Sequence, residues 1–175
     1  KNKNLKTIFG QPMIYWPLME ISKLFSANNV LVSTDSDLIK KTVEAKGLRV
    51  PFKRPANLSG DFVAMPKVVT HALRWFEKNV QIVDYVLTIY PTAILISEQD
   101  IISAMNLIVQ DKKIDQVLSA TTFPHPIQRA FFKNSEGYAQ LFDQKNFSKR
   151  SQDLVEAFHD AGNFSLSRAE AARKD

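Results

Sequence analysis

The chain has 175 residues, 45% of them apolar and 23% charged, with a net charge of +5 and no cysteine. That size and balance suit one domain with its own core, and they exclude a disordered chain, disulfides and thiolate chemistry. No run approaches the roughly 20 apolar residues of a membrane span, no signal-type apolar stretch follows Lys1, Lys3 and Lys6, and the basic residues are scattered rather than gathered into a stripe that would suit a nucleic acid. The expectation is a cytoplasmic protein that binds neither membrane nor nucleic acid, with small anions as fitting ligands.

In chain order, Val30-Leu31-Val32 reads as a short strand ending in the polar run Ser33-Thr34-Asp35-Ser36-Asp37. Leu38, Ile39, Val43 and Ala45 then recur at helical spacing up to Gly47. Leu48 to Phe52 reads as a second strand, and Arg54-Pro55 with Asn57, Ser59 and Gly60 as a loop. Val68, Val69, Ala72, Leu73 and Phe76 mark a helix, and Tyr85 to Tyr90 a buried strand stopped by Pro91. Ser97 can cap a helix holding Ile101, Ile102, Met105, Leu107 and Ile108, with Gln116 to Ala120 as the next strand. Strands alternating with helices predict an α/β fold with a mainly parallel, Rossmann-like sheet flanked by helices.

Between Phe123 and Phe147 the rhythm changes to a Pro- and aromatic-rich segment. A hairpin is predicted around Asn134-Ser135-Glu136-Gly137, joining Ala130-Phe131-Phe132 to Tyr138-Ala139-Gln140-Leu141-Phe142. With no internal repeat, residues 123–147 read as an insertion within a single domain spanning 1–175.

Ligands of open parallel sheets bind at the carboxyl ends of the strands. Ser33-Thr34-Asp35, Arg54 and Tyr90-Pro91-Thr92 fall there, although each taken alone also suits a turn or a helix cap. Further on, Arg150-Ser151-Gln152-Asp153-Leu154 and Glu156 to Asn163 crowd charged and polar groups beside Leu, Phe and Ala. Such density fits a cleft wall facing a polar, anionic ligand, or an ordinary solvated loop with an ion pair.

Lys3-Asn4-Leu5-Lys6 with Gly10-Gln11-Pro12-Met13-Ile14, then Val32-Ser33-Thr34-Asp35, then Arg54-Pro55-Ala56-Asn57-Leu58 with Asp61, resemble in order the sugar-acid cytidylyltransferases. That family includes the CMP-sialic acid synthetases and has the nucleotide-diphospho-sugar transferase type of fold. Phe123 to Ala130 and Arg150 to Leu154, with His159-Asp160-Ala161-Gly162, look like the pseudaminic acid branch. The resemblance implies transfer of CMP from CTP to the anomeric hydroxyl of a nine-carbon 2-keto sugar acid, with pyrophosphate leaving, Mg²⁺ as cofactor and a homodimer built on the 123–147 insertion. Related enzymes for sialic, legionaminic or octulosonic acids, and a binding module without turnover, are the alternatives.

By the same resemblance, Lys3 and Asn4 serve a phosphate-binding loop and Arg54 contacts the nucleotide, while Asp35 is either a ligand or a helix cap. Tyr90, Thr92, Gln128 and Arg129 serve the sugar. Arg150 is the expected carboxylate partner, since a guanidinium can grip both oxygens of a 2-keto acid. Gln152, Asp153, His159 and Asp160 read its hydroxyl or acylamido groups, although Asp153 or Asp160 could instead hold an arginine. The chain departs from the family pattern at both ends. The Gly-rich stretch that cradles a triphosphate with backbone N–H groups, and a late Asp-x-Asp segment for Mg²⁺, are expected outside 1–175. No catalytic group or metal ligand is therefore assigned, and a longer protein is expected in preference to a degraded homologue.

Overall fold

A computed structural model describes residues 3–174. These divide into two compact units, one formed by the chain up to Leu118 together with the stretch from Gly162 onward, the other by Ser119–Ala161.

The first unit opens with a turn at Lys3–Leu5 and a minimal hairpin of β1 (Thr7–Ile8) and β2 (Gln11–Pro12). Its two-residue loop places both Phe9 and Gly10 at positive φ, 48° and 79°. That is the type I′ pattern whose twist suits tight hairpins, and Gly10 meets its steric demand without strain. The indole N–H of Trp16 donates to the carbonyl of Ile8 at 3.1 Å, fastening the hairpin to α1 (Tyr15–Leu24). Neither hairpin nor α1 was expected from the sequence, because Pro12 and Pro17 interrupt both patterns.

α2 (Asp37–Glu44) is capped by Ser36, whose hydroxyl accepts from the Ile39 N–H. α3 (Met65–Asn79) carries Pro66 in its first turn, where a missing N–H costs nothing. β3 (Tyr85–Ile89) is followed by α4 (Glu98–Gln110), which opens on a full capping box between Ser97 and Asp100. β4 (Gln116–Thr122) leads into the second unit; β7 (Phe158–Arg168) returns from it and ends in a short helical turn, α5 (Ala169–Ala172).

The α/β class expected from the alternation holds, with a difference in strand pairing. The segments predicted as strands around Val32 and Val50 make only isolated parallel bridges, Leu31 with Arg49 and Thr34 with Lys53, and no continuous ladder among the described residues. The β3–β7 ladder is antiparallel, running from Tyr85 opposite Arg168 to Ile89 opposite Phe164. The sheet order is β3-β7-β4, so β7 occupies the slot that a simple βαβ reading leaves between β3 and β4. Alternation along β7 explains its hold on that slot: Phe164 and Leu166 are buried at 6% and 1% exposure. They join Val43, Val50, Ile101 and Ile108 in one core. Burial of side chains of this size stabilises by about 1.5–3 kcal/mol each, which holds β7 against β3.

A smaller apolar cluster joins Leu73 of α3 to Ala169 and Ala172 of α5. The hydroxyl of Thr70 donates to the Ala172 carbonyl at 2.7 Å in a buried position, and Arg173 grips Glu77 through Nε and Nη2.

The second unit holds the predicted hairpin, β5 (Phe131–Lys133) paired antiparallel with β6 (Ala139–Leu141). Asn134 closes it, its side-chain oxygen accepting from the Glu136 and Tyr138 N–H groups. No described residue of Ser119–Ala161 is fully buried, and Phe131, Tyr138, Phe142 and Phe147 are 59–71% exposed.

Candidate functional site

The segment that begins at Val30 ends in Ser33-Thr34-Asp35, and its parallel neighbour ends in Lys53-Arg54. Thr34 is buried, and its hydroxyl accepts from the Ser36 N–H at 3.1 Å. Its carbonyl accepts from the Arg54 N–H at 2.9 Å. These contacts bring Asp35 and Arg54 out at one edge, where Arg54 Nη2 donates to Asp35 Oδ1 at 3.3 Å. Ser36, not Asp35, caps α2, and Asp35 pairs with an arginine.

This pair lines an open groove of about 640 Å³ together with Lys53, Pro55, Ala56, Ser59 and Gly60. The Ser59 hydroxyl donates to the Pro55 carbonyl at 2.9 Å and accepts from Arg54 Nε at 3.3 Å. Lys53 is held by both oxygens of Asp37 at 2.9 and 3.1 Å. The hydrogen bond and charge of Lys53 draw the Asp37 carboxyl below its ordinary range, so the groove carries two arginine- or lysine-type cations, each beside a carboxylate. Sequence reasoning passed over Lys53 and Ser59. The only signal for either was adjacency to Arg54, in chain for Lys53 and across the turn Ala56–Leu58 for Ser59.

Lys3 and Asn4 lie in the opening turn, Lys3 exposed and Asn4 half-buried. The Asn4 carbonyl accepts from the Ile14 N–H at 3.0 Å, while its side-chain Oδ1 is buried without a hydrogen-bond partner among the described residues. The Ser33 hydroxyl is in the same condition. Buried polar atoms without partners are uncommon in native structures, and both occur in segments that the sequence leads one to expect at the nucleotide. Tyr90 and Thr92 occupy the turn after β3, with the Tyr90 N–H donating to the Asn163 carbonyl at 3.0 Å. Among the described residues, no hydrogen bond or ion pair joins Lys3, Asn4, Tyr90 or Thr92 to the Arg54–Asp35 pair.

In the second unit, two separated sequence blocks are tied together. Gln128 Nε2 donates to the Val155 carbonyl at 2.7 Å, and Arg129 Nη1 donates to the Ser151 hydroxyl at 3.1 Å. Gln128 Oε1 is buried without a partner among the described residues. Arg150 donates through Nε and Nη2 to both oxygens of Asp153 at 2.7 and 3.0 Å, so Asp153 holds an arginine. Gln152 is exposed on the same turn. His159 meets Phe123 in a tilted ring contact with centroids 4.8 Å apart, and its Nδ1 lies 2.9 Å from the Asp160 carbonyl, a contact that needs the Nδ1–H form. Both His159 and Asp160 stand on the exposed opening of β7 rather than in a loop.

Among the described residues, no group of three or more His, Asp or Glu side chains converges to hold an ion. Asp35, which lines the groove, is engaged by Arg54, and Asp37 by Lys53. These residues do not fit as a protein-built cation cage.

The family model for cytidylyltransferases matches residues 1–117. The pseudaminic acid cytidylyltransferase of Campylobacter jejuni serotype O:2 is 33% identical over 93% of this chain and 69% of its own length. The CMP-N,N'-diacetyllegionaminic acid synthase of the same organism is 37% identical, but over only 45% of this chain and 34% of its own. Among solved structures, a CMP:2-keto-3-deoxy-manno-octonic acid synthetase complexed with CTP superposes with a TM-score of 0.65 at 16% identity, covering 98% of this chain and 69% of that one. At that identity the likeness is one of fold.

Proposed function

The chain belongs to the cytidylyltransferase family, and from that premise we propose that it transfers CMP from CTP to the anomeric hydroxyl of a nonulosonic acid, with pseudaminic acid the substrate. The observation that carries this reading is the Arg54–Asp35–Ser59 groove at the strand ends, in the part of the chain that the family model matches. The sugar hydroxyl oxygen forms a bond to the α-phosphorus, the bond from that phosphorus to the bridging oxygen breaks, and pyrophosphate leaves as the hydroxyl proton is lost to solvent. Such a step needs charge neutralisation and in-line placement more than covalent help from the protein.

In this reading Lys3, Asn4, Arg54 and Asp35 serve the nucleotide, and Tyr90 and Thr92 serve the sugar acid. Arg150 keeps Nη1 for the carboxylate while Asp153 holds its other edge, and Gln128, Arg129, Gln152, His159 and Asp160 supply polar contacts. Mg²⁺ would enter with the triphosphate, and no residue of this chain is assigned to it. The cytoplasm, where CTP is drawn from, is the compartment this chemistry implies.

We read the chain as one nucleotidyltransferase domain whose 123–147 insertion forms a homodimer. The exposed Phe131, Phe142 and Phe147 of a unit with no fully buried described residue support that role. Legionaminic acid is the second candidate substrate, favoured by the 37% identity to the legionaminic acid synthase; the broader coverage of the pseudaminic relative weighs against it.

Phosphorus NMR of the protein with CTP and pseudaminic acid tests the reaction class. The expected result is a new CMP-sugar phosphodiester and pyrophosphate in equal amounts. CTP that is bound but left intact would replace this reading with that of a binding module.

A further inference from the structure

Arg54 is held along one edge only. Its Nε donates to the Ser59 hydroxyl and its Nη2 to Asp35 Oδ1, each at 3.3 Å. On a planar guanidinium these two nitrogens form the side edge, while Nη1 and the second N–H of Nη2 form the end-on fork. Among the described residues Nη1 has no acceptor, and Arg54 lines the open groove. The fork is therefore the part of the side chain left for a ligand.

Ser59 is placed to set the direction of that fork. A hydroxyl has one hydrogen and two lone pairs. The short 2.9 Å contact to the Pro55 carbonyl takes the hydrogen, which turns a lone pair toward Arg54 Nε. The position of Ser59 is itself fixed by the turn Ala56–Leu58, since its N–H donates to the Ala56 carbonyl at 3.1 Å. Asp35 alone could hold Nη2 at many guanidinium orientations. A second acceptor on the same edge removes the rotation, and a preorganised fork loses less freedom on gripping a ligand.

We propose that Ser59 is a positioning residue for the nucleotide: it orients Arg54 so that the end-on fork grips two oxygen acceptors of CTP. The proposal rests on the cytidylyltransferase reading for the identity of the ligand.

Calorimetric titration of CTP into the wild-type protein, Ser59→Ala, Ser59→Thr, Arg54→Ala and the Arg54→Ala/Ser59→Ala double variant tests it. Loss of one oriented hydrogen bond predicts about fivefold weaker CTP binding in Ser59→Ala, recovered in Ser59→Thr. In the Arg54→Ala background, Ser59→Ala should add nothing. Unchanged CTP affinity in Ser59→Ala, failure of threonine to rescue, or an equal loss in both backgrounds would overturn the proposal. Pyrophosphate release is followed separately. Wild-type protein that binds CTP but never turns it over overturns the catalytic reading while the titrations still decide the role of Ser59. Wild-type protein that does not bind CTP overturns both.

Discussion

The guanidinium of Arg54 meets the carboxylate of Asp35 at 3.3 Å although the two residues lie 19 positions apart. The parallel bridge of Thr34 with Lys53 is what brings them together, ending two neighbouring segments at one edge. The pair is partly exposed, with side-chain exposures of 22% and 50%, so its contribution to folding is small. Its consequence is a cation kept in a fixed place above an open groove.

Arg54→Ala is expected to raise the KM for CTP by about 10- to 100-fold, the range for losing hydrogen bonds to a charged group, with the KM for the sugar acid little changed. Steady-state kinetics with each substrate varied in turn checks the split. A rise shared equally by both substrates would contradict the assignment of Arg54 to the nucleotide.

Arg150→Ala should do the reverse, weakening use of the sugar acid while CTP binding stays within about twofold. The exposed Arg150–Asp153 pair contributes about 0–1 kcal/mol to stability at most, so the loss is expected in the kinetics and not in the melting temperature. Comparing calorimetric CTP affinity with the sugar KM for this variant decides the point.

How much of this was legible beforehand differs between elements for physical reasons. α3 and α4 announced themselves because one face of each is buried in a regular period, β3 because its apolar run is stopped by Pro91, and Ser97 stands as a cap with Asp100 three residues on. The hairpin at Asn134 was equally clear, since its turn chemistry is local. The antiparallel insertion of β7 between β3 and β4 was not legible, because alternation records burial and says nothing of a strand's neighbour or direction. Candidate residues at strand ends, Asp35 and Arg54, followed from topology. Lys53 and Ser59 did not, since Lys53 meets Asp37, 16 positions away in the chain, and the contacts of Ser59 depend on how the Pro55–Ser59 turn folds back.

The contact between Glu77 and Arg173 makes stability depend on pH in a defined direction. The Arg173 hydrogen bond is the chief cause that lowers the Glu77 carboxyl below its ordinary value of 4.5. A carboxylate with a lowered folded-state value stabilises fully above the unfolded value and loses that contribution as pH falls through the folded one. Glu77→Gln is therefore expected to melt lower than the wild type at pH 7, with the gap narrowing below about pH 4.5. Thermal melts of both proteins across pH 3 to 7 provide the check, and a gap independent of pH would contradict it.

Thr70→Val isolates the fastening of α5. The substitution keeps the shape but leaves the Ala172 carbonyl, bonded at 2.7 Å in the native protein, without its buried donor. A loss of about 1–3 kcal/mol is expected, seen as a lower denaturant midpoint with an unchanged slope. Turnover below the melting range should be unaffected, because neither Thr70 nor Ala172 lines the groove.

Replacing Phe131 and Phe142 together by serine tests the role of the aromatic insertion. These side chains are 67% and 71% exposed, so a folded monomer loses little by the change. Light scattering is expected to show a dimer for the wild type and a monomer for the double variant. A wild-type monomer would contradict the dimer proposal.

Initial rates of pyrophosphate release from CTP, measured on the full-length protein with pseudaminic, legionaminic, sialic and 3-deoxy-octulosonic acids in parallel, test the central claim most directly. The account predicts release that depends on the sugar acid, with the highest kcat/KM for pseudaminic acid. Release at the background rate with every acid, from protein that binds CTP, would contradict it.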